Sequence, residues 1–75
     1  MTIGEKIKNA RNLRGLTQKE LGIKLGFDEK SADVRVAQYE SGTRTPKSEL
    51  LSEIAAVLDV NINSLKNPSL ENTET

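Results

Sequence analysis

The 75-residue sequence contains no cysteine, no histidine and no tryptophan, and its only aromatic residues are one phenylalanine and one tyrosine. Without cysteine the chain has neither disulfides nor thiolate metal ligands, and without histidine the usual zinc ligand sets are excluded. Carboxylates, lysines and one tyrosine remain for acid–base catalysis, and no two carboxylates form a pocket motif. We therefore predict that the protein is not an enzyme and uses no cofactor, metal or small-molecule substrate.

Long apolar runs are also missing. No stretch approaches the roughly 20 apolar residues of a membrane-spanning helix, and the first residues lack the apolar segment of a signal peptide. The sequence thus predicts a soluble, cytoplasmic chain with no membrane partner. Its length is that of one small domain, near the lower size at which a single core stabilises a chain unaided.

The chain has no net charge, because eleven basic residues balance eleven acidic ones, but these charges are unevenly distributed. Residues 1–48 carry ten lysines and arginines against six acids, a net charge of +4. Residues 49–75 carry one lysine against five acids, a net charge of −4. This asymmetry predicts a basic face and an acidic back, and a basic face permits an anionic partner without requiring one.

Capping residues predict both ends of the first two helices and the end of the third. Thr2 with Glu5, and Thr17 with Glu20, match the capping box that opens a helix. Apolar residues then recur at helical spacing after each box. Three glycines are predicted to end these helices: Gly15, Gly26 and Gly42.

Two further helices are predicted in the second half. Thr45-Pro46 has proline where a helix begins, and the apolar residues between 50 and 58 give this fourth helix a broad buried face. Asn61 is suited to cap a last short turn. No segment alternates with the period of a strand, so we predict an all-α domain of five helices over residues 1–66. A flexible polar tail is predicted at residues 67–75.

The segment from Leu16 to Pro46 reads as a helix, a tight glycine turn, a second helix and a basic arm. With the apolar positions that follow, it resembles the lambda-repressor/Cro-like (Xre) helix-turn-helix family over about residues 3–65. The matching pieces are Leu16-Thr17-Gln18-x-x-Leu21, the turn Gly26, Tyr39-Glu40-Ser41-Gly42 with Arg44 and Pro46, and Ile54-Ala55, Leu58, Val60 and Leu65. The resemblance implies a compact five-helix domain in which helices two and three form the helix-turn-helix. It also implies sequence-specific binding of double-stranded DNA by a small, repressor-like prokaryotic or phage transcriptional regulator.

Two departures from the family pattern stand out. Gly22 occupies a position where the family usually has alanine, which permits close packing but costs about 1 kcal/mol of helix propensity. Gly26 and Glu40 lie fourteen residues apart, about four more than in the family pattern, so the surplus falls in the turn or at the head of helix three. Either helix three begins at Asp28 and is one turn longer, or the segment FDEK lengthens the turn and Ser31 caps a helix of normal length. Both residues are good caps, so the sequence leaves both alternatives open.

The resemblance also implies residues that contact DNA. Its base-reading positions fall on Asp33, Val34 and Gln38, with Arg35 beside them; the alternative is an ordinary solvated helix face. Glutamine can bond an adenine edge bidentately, valine can contact a thymine methyl, and arginine can reach guanine or a phosphate. These side chains suggest a half-site that contains A·T pairs. Four residues are predicted to bind phosphates: Gln18 at the start of helix two, and the cations Arg44, Lys47 and Lys24.

A structural role is implied for two charged residues. The resemblance pairs Arg11 with Glu40 in a buried or half-buried ion pair that links helix one to the end of helix three. Phe27 and Tyr39, the two aromatic residues, are predicted to belong to the core rather than to a base-stacking surface.

Dimerisation and a rival function complete the predictions. Because the sequence predicts no second domain, a homodimer on DNA is expected to form through helices four and five, with three exposed apolar candidates: Ile62, Leu65 and Leu70. The rival is a protein-interaction module of the same fold, antitoxin-like or regulator-binding, with weak or no specific DNA binding. Zero net charge and the altered turn favour this rival. A specific reader of DNA would lose affinity steeply as salt rises, whereas the rival would not.

Overall fold

A computed structural model describes residues 2–66 of the chain. Within that range there are five helices and no strand: α1 (Ile3–Leu13), α2 (Gln18–Lys24), α3 (Ala32–Ser41), α4 (Ser48–Leu58) and α5 (Ile62–Leu65). The prediction of an all-α, five-helix domain is confirmed, and the predicted tail at 67–75 lies outside the described residues. No helix in the described range is long and apolar enough to cross a membrane.

The first two helices begin and end as their sequences predict. Thr2 and Thr17 each accept a hydrogen bond from the backbone N–H of the glutamate three residues later, and that glutamate accepts one from the cap backbone. Gly15 (φ 73°) and Gly26 (φ 90°) then adopt the left-handed conformation that ends each helix. The N–H of the next residue donates to the carbonyl five positions back, which completes a Schellman motif.

Helix α4 begins later than the sequence predicts. The expected start at Thr45-Pro46 is wrong, because Lys47 is the N-cap (φ −73°, ψ 166°) and the helix begins at Ser48. Proline disfavours helical backbone at the residue before it, and the buried Pro46 holds the connecting arm in a non-helical conformation. Asn61 does cap α5, by accepting a hydrogen bond from the N–H two residues later.

The core lies around α4, which supplies four of its eight fully buried apolar residues. The eight are Ile7, Leu21, Val36, Leu51, Ile54, Ala55, Leu58 and Leu65. Leu65, predicted as an exposed dimer contact, is only 1% exposed, and Ile62 packs half-buried against the same core. The prediction that Leu65 is an exposed contact is therefore wrong, because α5 folds back onto α1 and α4. Leu70 lies outside the described residues.

Two glycines fix the position of α3 by allowing close contact with its neighbours. A Cβ added to Gly4 of α1 would collide with the backbone carbonyl of Glu40 in α3. A Cβ added to Gly22 of α2 would lie 2.6 Å from the Cβ of Ala32. The departure at Gly22 therefore serves close packing of α2 against α3, and α3 is held on both sides by contacts that only glycine permits.

The surplus residues lengthen the turn and leave α3 at normal length. Helix α3 begins at Ala32, and its N-cap Ser31 (φ −122°, ψ 3°) makes no side-chain capping bond. Asp28 organises the turn: its carboxylate accepts from the Lys30 N–H (2.9 Å) and its carbonyl from the Ser31 N–H (3.0 Å). Of the two alternatives that the sequence left open, the longer turn is therefore the one observed.

Candidate nucleic-acid interface

Helix α3 buries one face and turns another outward. Its buried residues are Ala32, Val36, Tyr39 and Glu40. Asp33 and Val34 are exposed, whereas Arg35 and Gln38 are half-buried at the border of the outward face. At 3.6 residues per turn, Val34 and Gln38 lie towards the middle of the outward face of α3, and Asp33 and Arg35 lie at its two opposite borders.

Three of these residues present different chemistry at the surface of α3. Val34 is an exposed apolar side chain, with 54% of its surface accessible. Asp33 accepts a hydrogen bond from the Val34 N–H (2.8 Å) in the first turn, where a carboxylate also complements the helix dipole. Within residues 2–66 it belongs to no acidic cluster that could hold a metal ion. The Gln38 side chain donates to no described residue, so its amide is available to an external partner.

Arg35 is held by an aromatic ring rather than by a carboxylate. Its guanidinium carbon lies 3.9 Å from the centroid of the Phe27 ring, a stacked cation–π arrangement. The Phe27 ring lies 6.4 Å from the Tyr39 ring, with the planes tilted by 32°. Tyr39 is buried in the core and Phe27 is half-buried against it. The stack was not predicted from the sequence, where the signal for it is that the single phenylalanine lies beside the turn glycine.

Gln18, Arg11 and Glu40 form one buried network. Arg11 Nε donates to Glu40 Oε2 (2.6 Å), Arg11 Nη2 to Glu40 Oε1 (3.2 Å), and Arg11 Nη1 to the Leu16 carbonyl (2.8 Å). Gln18 Nε2 donates to Glu40 Oε1 (3.0 Å). Arg11 and Glu40 are 7% and 8% exposed, so the pair is withdrawn from water. The network joins α1 and the end of α3 to the first turn of α2, and it leaves one amide hydrogen of Gln18 unused.

The predicted phosphate-binding cations divide into two groups. Arg44 is exposed, and its backbone N–H donates to the Gln38 carbonyl (3.1 Å), which ties the arm after α3 to that helix. Arg44 and Lys47 line the same surface depression beside the end of α3. Lys24 lines a different depression, together with residues of α4. The structure therefore groups Arg44 with Lys47 and separates Lys24 from both.

Two other cations of the basic half are used within the domain. Arg14 donates from Nε to the Leu58 carbonyl (2.6 Å) and from Nη2 to the Asp59 carbonyl (2.9 Å), at the end of α4. Lys6 Nζ donates to the Lys66 carbonyl (2.8 Å) after α5. Neither the role of Arg14 nor that of Lys6 was predicted from the sequence, because a cation that caps a distant helix leaves no local sequence signal.

The chain is similar to known proteins in sequence and in fold. A family model described as helix-turn-helix matches residues 7–65. The putative multi-protein-binding factor 1 of Yarrowia lipolytica (strain CLIB 122 / E 150) is 38% identical over 61 residues, which cover 81% of this chain and 38% of that protein. The crystal structure of the transcriptional regulator BswR matches with a TM-score of 0.85 and 38% identity, over 99% of this chain and 72% of that one. The chain thus spans well under half the length of the curated relative.

Proposed function

Because the chain belongs to the lambda-repressor-like (Xre) helix-turn-helix family of DNA-binding transcriptional regulators, we propose that it binds double-stranded DNA sequence-specifically, with α3 in the major groove. The observation that carries the proposal is the outward face of α3, where Val34 is exposed and the Gln38 side chain has no partner within residues 2–66. The first turn of α2 and the Arg44 arm flank this face. We further propose a repressor-like role in a prokaryote or phage, which places the protein on DNA in the cytoplasm.

Base reading is assigned to the outward side of α3. Gln38 has a free amide that matches the N6/N7 edge of adenine, and exposed Val34 offers an apolar surface for a thymine methyl. Arg35 presents a guanidinium at the flank of the same face. Asp33, whose carboxylate already bonds the helix backbone, is assigned the lesser role of accepting from a cytosine amine.

Phosphate binding is assigned to residues that lie on either side of the outward face of α3. Arg44 and Lys47 share one depression beside the end of α3 and supply two positive charges there. Gln18 lies in the first turn of α2, where unpaired backbone N–H groups and the helix dipole favour an anion. We leave Lys24 out of this assignment, because it lies beside α4 instead.

Selection of bound duplexes from a random pool tests these roles. The unmodified protein should enrich one motif, and Gln38→Ala should relax the preference at a single A·T pair by about 1–3 kcal/mol. Arg44→Ala should weaken all duplexes equally and reduce the salt slope by about 1. Lys24→Ala is the matched control, an exposed cation whose loss should change neither quantity. Enrichment of no motif by the unmodified protein would reject specific DNA binding.

The competing proposal is a protein-interaction module of the same fold. The zero net charge favours it, and the relative from Yarrowia lipolytica is itself described as a multi-protein-binding factor. Salt dependence separates the two functions: two phosphate contacts from Arg44 and Lys47 give a log–log slope of about −1.8, or roughly a tenfold loss of affinity between 50 and 200 mM salt. A slope near zero would favour the interaction module.

We also propose that two copies bind a palindromic site as a homodimer, since one small domain reaches only one half-site. Leu65 takes no part in the contact between copies, because it is buried in its own core. Sedimentation of the protein alone and on a duplex with half-sites about 34 Å apart tests this. A strict monomer in both experiments would reject the dimer.

A further inference from the structure

We infer that Phe27, in the lengthened turn, is a positioning residue that holds Arg35 of α3 so that its outer N–H edge reads a guanine. The inference rests on the proposed function and deepens it. It adds a G·C pair to the recognised site, and it gives the lengthened turn a part in specificity.

The position of the Phe27 ring restricts the Arg35 side chain. Arg35 and Tyr39 lie four residues apart, on one stripe of α3. Phe27 contacts both, with its ring 3.9 Å from the Arg35 guanidinium carbon and 6.4 Å from the Tyr39 ring. Because one face of the guanidinium is covered, the side chain has lost much of its rotational freedom before DNA arrives. Less entropy then remains to be lost on binding.

The Arg35 guanidinium has hydrogen-bond donors that no residue in the range 2–66 uses. Arg11 and Arg14 bond their guanidinium groups to a carboxylate or to carbonyls, whereas no side-chain nitrogen of Arg35 donates to any residue in the range 2–66. Its Nε is buried without an acceptor there, so the edge left to donate outward is formed by the two Nη groups. A guanidinium with a covered face and an unused edge matches a planar acceptor that takes two parallel hydrogen bonds. Guanine O6/N7 and a phosphate both have this chemistry.

The position of Arg35 on α3 favours guanine over a phosphate as its partner. Arg35 follows the exposed Val34 and precedes Gln38 by three positions, so it borders the face to which we assign base reading. The phosphate contacts are assigned elsewhere, to the start of α2 and to the arm that carries Arg44. An arginine fixed beside the base-reading residues is placed to discriminate among bases rather than to neutralise the backbone.

The turn between α2 and α3 holds Phe27 in place. The Phe27 N–H donates to the Gly22 carbonyl (2.9 Å), so the ring is attached directly to the end of α2. On its other side, Asp28 closes the turn through bonds from the N–H groups of Lys30 and Ser31. The ring therefore stands on a segment bonded at both ends, as a positioning residue requires.

The test combines protein variants with modified duplexes. The unmodified protein, Phe27→Leu and Arg35→Met are titrated with the selected duplex and with copies in which single guanines are replaced by deazaguanine, which lacks the N7 acceptor. We expect the unmodified protein to lose about 5- to 20-fold in affinity at one guanine. Arg35→Met should bind the parent duplex more weakly and show no further loss at that guanine. Phe27→Leu, which keeps an apolar side chain, should lose most of the discrimination there and keep that at the Gln38 adenine.

Three outcomes would overturn the inference. A loss of affinity that depends on Arg35 but is equal for all duplexes, with a smaller salt slope, would assign it to a phosphate. Full discrimination in Phe27→Leu, when Arg35→Met has none, would remove the positioning role. Unchanged DNA binding in both variants, with reduced stability in urea, would leave the stack a purely structural feature. If Phe27→Leu does not fold, Phe27→Met takes its place; failure of the unmodified protein to bind any duplex would instead reject the proposed function.

Discussion

Removing one partner of the Arg11–Glu40 ion pair should destabilise the domain more than replacing both. Arg11→Ala would leave the Glu40 carboxylate, only 8% exposed, with the Gln18 amide as its remaining side-chain donor. Glu40→Ala would leave the Arg11 guanidinium with the Leu16 carbonyl as its acceptor. Stranding one buried charge in this way costs about 3–5 kcal/mol. The double variant Arg11→Ala/Glu40→Ala strands no charge and should cost much less than the sum of the two single losses. Arg11→Met/Glu40→Leu, which also fills the vacated space, should cost less than either single change.

The expected loss is large against the stability of the whole domain. A chain of this length is stabilised by about 4–11 kcal/mol in total, so each alanine variant should lose a large part of it. Urea unfolding followed by circular dichroism gives the free energy of unfolding by linear extrapolation. Glu40→Gln, which keeps the shape of the side chain, supplies a milder member of the series. We expect a coupling energy between the two positions of at least about 2 kcal/mol.

Additive losses would refute this reasoning. If the double alanine variant lost the sum of the two single alanine losses to within about 0.5 kcal/mol, the two charges would not stabilise each other. Lys19 and Glu29 supply the matched control, because their ion pair spans 3.5 Å between side chains that are 52% and 73% exposed. Solvent screens such a pair, and its coupling should fall below about 0.5 kcal/mol in the same assay.

Three further substitutions test the close packing of α2 against α3 and the capping of two helices. Gly22→Ala should lower the free energy of unfolding by about 1–3 kcal/mol in urea, despite its better helix propensity, because the new Cβ would lie 2.6 Å from that of Ala32; equal or higher stability would contradict the close approach. Thr17→Ala should cost about 1 kcal/mol through loss of the capping box, measured by thermal unfolding. Arg14→Ala should speed hydrogen exchange of amides at the end of α4, and Arg14→Lys should restore only part of the protection, since one ammonium does not reproduce the two-carbonyl fork.

Helix boundaries were predictable where they depend on neighbouring residues. Thr17 and Gly26 mark the two ends of α2, because a capping box and a left-handed glycine act within one turn. The start of α3 was not predictable, since Asp28 and Ser31 are equally good caps by residue type. The structure uses Asp28 within the turn, and Ser31 precedes the helix without making a side-chain capping bond.

Features that depend on distant contacts were less accessible from the sequence. Leu65 was predicted to be exposed, yet it is buried in the core. The sequence of the four-residue helix α5 does not indicate how that helix packs against the others. Pro46 suggested a helix start, but Lys47 is the N-cap and α4 begins at Ser48. The stack of Arg35 on Phe27 joins residues eight positions apart across an irregular turn, where no periodicity applies. The family resemblance placed Arg11 against Glu40, which spacing alone does not do.

The docking of α3 rests on contacts outside the lengthened turn. Gly22 fixes α3 against α2, and Glu40 fixes its other end against α1. Extra residues between such anchors add only the loop-closure cost, which rises by about 0.6 kcal/mol for each doubling of loop length. The turn can therefore vary in length and composition while the outward face of α3 keeps its orientation. In this chain the turn carries Phe27 at one end and joins the first turn of α3 at the other. A change of turn sequence is thus a way to alter how Arg35 is presented without rebuilding the fold.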